Sequence, residues 1–355
     1  MENSGIMFRE ITIGSMAVKN RFVFAAAQDH LDSDPGRRAG RFGSLASGGV
    51  GLVISGATDF ADIEGWRGAI EAVHKNGGKI APQIIPDKIK DALPSVVPPE
   101  CPFFGPALYP YREHRPYTEE EILGFISQYA ARAEIAKSLG ADGVEIHGAH
   151  HAIPMCFLSP LTNRRDDRWG GPLENRLRFH RELLSAVRAR VGAEFPVMLK
   201  LGVEDAIPGG FRLEEGREAA RILSEAGFDA IEVSQGLMNS SLGFEGTPLR
   251  PDIRKPEQEA YFRSWSRAVK AEVKKPVIVT GGIFSIETVE SVIGSGDADM
   301  VSMCRALLRE PGLVDRWKSG DTHRATCISC NKCTTELLLK GQPLECFLDL
   351  KKSHA

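Results

Sequence analysis

Three groups of residues in this sequence are spaced to do chemistry. The first is Glu145-Ile146-His147-Gly148-Ala149-His150-His151. Gly148, between His147 and His150, permits unusual backbone angles, so both rings can converge on one small acceptor. Such a pair donates two hydrogen bonds to a carbonyl oxygen and stabilises charge that develops there. Zinc is the rival reading, but two histidines fall short of a ligand set and no Cys or acidic residue stands at a spacing that completes one. The second group would hold an anion. Thr280-Gly281-Gly282-Ile283 and Met303-Cys304-Arg305 each close a short apolar run. Paired glycines let backbone N–H groups approach phosphate oxygens, and Arg305 adds a bidentate cation. Taken singly these are a plain turn and a solvated helix start; on adjacent strands they read as a phosphate cradle. The third group is Cys327-Ile328-Ser329-Cys330-Asn331-Lys332-Cys333 with Cys346 farther on. Three thiols spaced by two residues and a remote fourth suit a [4Fe-4S] cube, with structural zinc and redox-inactive thiols as the alternatives.

Two further polar residues sit inside apolar runs. Gln83 offers a donor and an acceptor, which suits the edge of a pyrimidine-like ring. Lys200, within Val197-Met198-Leu199-Lys200-Leu201, needs an anionic partner if its charge is to be tolerated there. A reduced flavin offers one at its N1 and O2 edge. An ion pair with Glu145 or Glu232 is the competing account.

These residues must be positioned by repeated elements. Short apolar, β-branched runs, each followed by helical periodicity, predict βα units. Eight strands are expected: Phe22 to Ala26, Val50 to Ser55, Lys79 to Ile85, Gly143 to His147, Val197 to Leu201, Ala230 to Ser234, Val277 to Thr280 and Met300 to Met303. Helices are expected between them, among others Glu119 to Leu139, Glu174 to Arg190, Glu214 to Ala226 and Ser285 to Ile293. The economical closure is a (β/α)8 TIM barrel over residues 1–321, with its active site at the carboxyl ends of the strands. An open doubly wound sheet is disfavoured because Val23 to Gln28 carries no glycine for a dinucleotide fingerprint. Two segments break the repeat. Residues 86–117, rich in proline and aromatics, read as a lid over the barrel mouth, since a loop this long in a compact domain is usually functional. The tail, 322–355, carries four of the seven cysteines.

Composition narrows the class. The chain has 355 residues, 42% hydrophobic and 26% charged, with a formal net charge of -3. That balance gives no general attraction to nucleic acid or to acidic membranes. Glu2, Arg9 and Glu10 interrupt the apolar residues of the amino terminus, unlike an export signal, and no stretch is long and apolar enough to span a bilayer. Seven cysteines without such a signal imply a reducing compartment, with the cytoplasm as the expected address.

Beyond these readings, the chain resembles the old yellow enzyme superfamily of FMN-dependent oxidoreductases, in the branch of 2,4-dienoyl-CoA reductase and trimethylamine dehydrogenase. The resemblance rests on Val18-Lys19-Asn20-Arg21-Phe22, Gly48-Gly49-Val50-Gly51-Leu52 and Gly140 through His150. Its most specific stretch is Phe157-Leu158-Ser159-Pro160-Leu161-Thr162-Asn163-Arg164-Arg165, continuing to Glu174-Asn175-Arg176. It implies FMN as cofactor, with Gln83 and Lys200 at the pyrimidine ring, Gly281, Gly282, Cys304 and Arg305 around the phosphate, and Ala26 and Ala27 where the family has Pro-Met. It implies that His147 and His150 bind the activating oxygen of a small, partly apolar unsaturated substrate. Cys327, Cys330, Cys333 and Cys346 resemble the iron–sulfur run of that branch.

The expected function is therefore ene-reduction, with hydride passing from reduced FMN to the β-carbon of an α,β-unsaturated carbonyl compound. Oxidative amine or methyl dehydrogenation, and an FMN and iron–sulfur electron-transfer subunit, are the alternatives. NAD(P)H, or a ferredoxin or flavoprotein partner, would supply electrons; a homo-oligomer is compatible with the sequence. One departure bears on mechanism. The family tyrosine that donates a proton, two residues after the second histidine, is Ala152 here. His151, Tyr109, Tyr111 or water are the candidate replacements.

Overall fold

A computed structural model describes residues 5–31, 34–58, 60–105 and 110–353. Eight parallel staves close into a barrel. They are β1 (Phe22–Phe24), β2 (Leu52–Ile54), β3 (Lys79–Ala81 and Gln83–Ile84), β4 (Val144–Gly148), β5 (Val197–Gly202), β6 (Ala230–Ser234), β7 (Val277–Val279) and β8 (Met300–Met303). Neighbours pair in chain order, and Val301 opposite Phe22 closes β8 onto β1. The third stave is broken because Pro82 has no N–H to give the ladder. Its first piece pairs with β2 through Lys79 opposite Leu52, and its second with β4 through Gln83 opposite Glu145.

Local signals explain the helices. The helix Glu119–Ser138 begins with a capping box: the Thr118 side chain accepts from Glu121 N, and Glu121 reaches back to Thr118 N. The side chains of Asp34 and Asp62 cap the helices Pro35–Ser47 and Ile63–Lys75 by accepting from Arg37 N and Gly65 N, each cap being worth about 1 kcal/mol. The single helix expected from Glu174 to Arg190 is two, Leu173–Arg176 and Arg178–Val191. The break follows Arg176, whose buried guanidinium is tied to the carbonyl oxygens of Leu158 and Gly171.

The apolar residues form two cores. One lies between strands and helices. The other fills the barrel with Val23, Leu52, Ile54, Ala81, Met198, Ala230, Ile278 and Met300, and is plugged at the amino end by Ile13, Met16 and Val18 of a small hairpin. Side chains two residues apart on a strand share a face. The layer above Ala81, Met198, Ala230 and Met300 is therefore Gln83, Lys200, Glu232 and Ser302, all buried. The interior turns from apolar to polar one step below the carboxyl ends of the strands.

Residues 86–105 and 110–117 run beside that mouth. Ala92–Leu93 pairs with Arg115–Pro116, the Ser95 hydroxyl donates to Thr162 O at 2.9 Å, and the Phe103 ring lies 4.4 Å from that of His151. The tail packs on the barrel: Ala325 N donates to Phe284 O, Leu344 N donates to Asp29 O, and Arg324 pairs with Glu259.

Candidate active site

Two adjoining cavities open at the carboxyl ends of the strands. The larger, about 410 Å³, is walled by Ala25, Ala26 and Ala27 after β1, Thr280 and Gly282 after β7, and Cys304 and Arg305 after β8. Lys200 forms its floor and Leu338 of the tail one side. The smaller, about 300 Å³, is lined by His147, His150, His151, Ala152, Tyr129 and Lys88 with apolar neighbours. Gln28, His150 and Met238 border both.

The histidines are neutral. Burial, then the nearby Lys200 charge, pushes His147 down to about 3, and burial with the neighbouring His147 takes His150 well below its ordinary value. Their rings lie 5.4 Å apart, nearly edge to face. His150 Nε2 is 2.7 Å from the Ser234 hydroxyl, while His147 Nδ1 is buried without a hydrogen-bond partner. The unusual backbone falls at His150 and His151, with φ of 50° and 68°, rather than at Gly148. Two successive non-glycine residues in the left-handed region cost energy, and such strain clusters at functional sites.

The walls fit FMN. Gly281 and Gly282 have φ of 124° and 65°, and a Cβ on Gly282 would come within 2.8 Å of the Tyr261 ring. Only glycine leaves that approach open. Ser302 Oγ on the cavity wall is buried beside the Glu232 carboxyl. Gln83 is not on the wall: its amide donates to Glu145 at 2.7 Å below the floor. Lys200 both lines the cavity and pairs with Glu232 at 2.8 Å, so the competing ion-pair account describes its geometry. Arg305 reaches from the cavity into the cysteine loop, donating to Arg250 O, to the Ser329 hydroxyl at 3.0 Å and to Asn331 Oδ1.

Cys327, Cys330, Cys333 and Cys346 line one small cavity beside Arg305 and Arg309. Among the described residues no three His, Cys, Asp or Glu side chains stand in ligating arrangement. The loop thus gathers four thiols around a hollow without closing them on a point. Of the candidate proton donors, His151 faces the smaller cavity with Nε2 accepting from Met238 N at 3.0 Å. Tyr111 packs on Phe104 and is 44% exposed, and Tyr109 lies outside the described residues. Sequence reasoning missed Tyr129, whose hydroxyl is buried without a partner, and Lys88 on the cavity rim. A tyrosine in mid-helix and a lysine in a loop carry no local signal of a site.

Residues 6–323 match the model of the NADH:flavin oxidoreductase / NADH oxidase family. The chain belongs to that family. The family is one of flavin-dependent oxidoreductases. It is similar to an NADH oxidase of Thermoanaerobacter brockii, 31% identical over 92% of this chain and 52% of the relative. A 2-naphthoyl-CoA reductase structure superposes with a TM-score of 0.81 at 26% identity, covering 96% of this chain and 56% of that one. Morphinone reductase gives 0.71 at 26% identity, with 91% and 92% covered. The chain spans about half the length of the curated relatives it matches. No helix among the described residues is long and apolar enough to cross a membrane.

Proposed function

We propose that the chain reduces the carbon–carbon double bond of an α,β-unsaturated carbonyl compound. The observation that carries this reading is the placement of neutral His147 and His150 on a 300 Å³ cavity that adjoins the 410 Å³ cavity floored by Lys200. Ala26, Ala27, Gly282, Cys304, Arg305 and Lys200 would hold FMN in the larger cavity, with Gly281 shaping its loop and Gln83 supporting the floor through Glu145. Bound FMN supplies the hydride. His147 and His150 orient the substrate carbonyl, donate hydrogen bonds to it and offset the charge that grows on its oxygen. Their neutrality is suited to the task, since a neutral imidazole donates without carrying a buried charge. The names of 2-naphthoyl-CoA reductase and morphinone reductase denote reduction of carbonyl-bearing compounds, which supports the reading.

Cys327, Cys330, Cys333 and Cys346 would hold a [4Fe-4S] cluster, which supplies single electrons. Arg305, shared by the cysteine hollow and the FMN cavity, would tie the two sites mechanically. Residues 1–321 would then form the catalytic barrel and 322–355 its electron-input segment, fed by NAD(P)H or a protein donor. The test is anaerobic mixing of reduced holoenzyme with cyclohexenone, cinnamate and a crotonyl thioester, with iron and sulfide assayed on the same protein. Reoxidation of the flavin with formation of the saturated product is expected. Flavin that is reduced by methylamines and unreactive toward all three alkenes would replace this reading with amine oxidation.

A further inference from the structure

The most deeply buried charged cluster lies under the larger cavity, and it is asymmetric. Lys200 Nζ donates to Glu232 Oε1 at 2.8 Å, with the two side chains 5% and 0% exposed. Glu145 is also fully buried, and its Oε2 accepts from Gln83 at 2.7 Å. Glu145 Oε1 is buried with no N–H or hydroxyl to receive, and the Glu232 carboxyl has the Ser302 hydroxyl beside it. The two carboxyls contact each other as hydrogen-bonding partners. That contact is attractive only when one of them carries a proton.

The partners decide which one. Glu232 has the ammonium of Lys200 against it, which favours its ionised form. Glu145 has only a neutral amide, and burial together with the Glu232 charge drives its affinity for a proton up. His147, His150 and Cys304, which also lie near Lys200, add no charge to the floor. Burial and charge repulsion keep His147 and His150 neutral, and burial pushes the Cys304 thiol up to about 12. One ammonium, one carboxylate and one carboxylic acid leave the floor of the cavity neutral.

We propose that Glu232 is a positioning residue that sets the electrostatics of the bound cofactor by cancelling the charge of Lys200, with Glu145 holding the proton shared by the two carboxyls. This rests on the reading of the larger cavity as the FMN site. Reduction brings two electrons and at least one proton from an external donor and leaves negative charge on the pyrimidine edge. An uncompensated lysine would bind the reduced form selectively. The neutral floor withholds that preference and keeps reduced FMN a stronger reductant.

The roles of the two acids are therefore unequal, and isosteric substitutions separate them. FMN holoenzymes of the wild type, Glu232→Gln, Glu145→Gln and the double variant Lys200→Met/Glu232→Gln would be titrated anaerobically with dithionite against a reference dye. The midpoint relative to free FMN gives the ratio of affinities for reduced and oxidised cofactor. Glu232→Gln is expected to raise that ratio at least 30-fold, about 45 mV for a two-electron couple at roughly 30 mV per tenfold. Glu145→Gln is expected to change it less than threefold, because a neutral acid is exchanged for a neutral amide. The double variant should lie within threefold of the wild type. An unshifted Glu232→Gln protein, or an equal shift in Glu145→Gln, overturns the proposal. Should Glu232→Gln not fold, the double variant decides alone: a ratio more than tenfold below the wild type means that Lys200 is not cancelled, and overturns it as well. A wild-type protein that cannot bind FMN defeats the reading of the cavity, and the proposal with it.

Discussion

Replacing Lys200 by Met removes the ammonium that pairs with Glu232, and the size of the effect follows from two competing routes. Left ionised, Glu232 forfeits an attraction across 2.8 Å that is worth about 6 kcal/mol at an effective dielectric of about 20. Alternatively the carboxylate takes up a proton, which costs about 1.4 kcal/mol for each pH unit above a reference pKa of about 4.3, hence about 4 kcal/mol at pH 7 and about 1 kcal/mol at pH 5. Protonation is the cheaper route throughout this range and sets the loss. The sign with pH is distinctive. In the wild type, Lys200 holds Glu232 below its ordinary value, so the pair's contribution is complete above the unfolded-state pKa and fades on acidification. In the variant the folded-state pKa lies above the unfolded one, so the penalty is absent in acid and grows as pH rises. Urea unfolding of the FMN-free proteins at pH 5, 6, 7 and 8 reads this directly. The double variant Lys200→Met/Glu232→Gln, which buries no charge, should recover most of the loss, as expected when a buried pair is replaced whole. A Lys200→Met loss below about 1 kcal/mol at pH 8, or one that does not vary with pH, would refute the reasoning.

Further outcomes are expected. Alanine at His147 or His150 should slow alkene-driven flavin reoxidation about 100-fold or more, the usual cost of removing one oxyanion donor, and at His147, which lines only the smaller cavity, should leave FMN binding unchanged; stopped-flow absorbance measures both. Because burial holds His147 at about 3 and His151 at about 4, affinity for an unreactive carbonyl ligand should be flat from pH 5 to 8. Stability should fall as pH drops below the unfolded-state value of about 6.5, since only the unfolded chain then gains those protons. Gly282→Ala puts a Cβ 2.8 Å from the Tyr261 ring at a φ of 65°, and at about 1–3 kcal/mol for such strain it should weaken FMN binding roughly 10-fold or more by fluorescence titration. Lys88, the one charged group among the described residues lining the smaller cavity, should favour anionic substrates: Lys88→Met is expected to raise KM for cinnamate several-fold and leave cyclohexenone unaffected, and equal effects on both would remove it from recognition.

What could be read from the sequence divides along the range of the interaction that fixes each feature. The barrel strands were legible because each is a local run of β-branched residues, and the period-two rule carries Met198 to Lys200 and Ala230 to Glu232 on one face. Paired glycines after β7 and paired histidines after β4 were legible for the same reason, being local to one strand end. The partner of Lys200 was not, because Glu145 and Glu232 flank it from opposite sides at equal remove in the sequence pattern. Register decides between them: Lys200 stands opposite Glu232 on β6, whereas on β4 its opposite number is His147 and Glu145 falls one step lower, opposite Met198. The same limit applies to Gln83. Its strand and its inward face followed from the pattern, yet pairing in register with Glu145 draws its amide to that carboxyl and off the cavity wall. A polar residue on the inner face of a barrel can serve the ligand or another side chain, and one layer, two residues along the strand, separates the two roles. For this chain that single step leaves Lys200 on the cavity wall and puts Gln83, the other expected cofactor contact, in a buried network with Glu145.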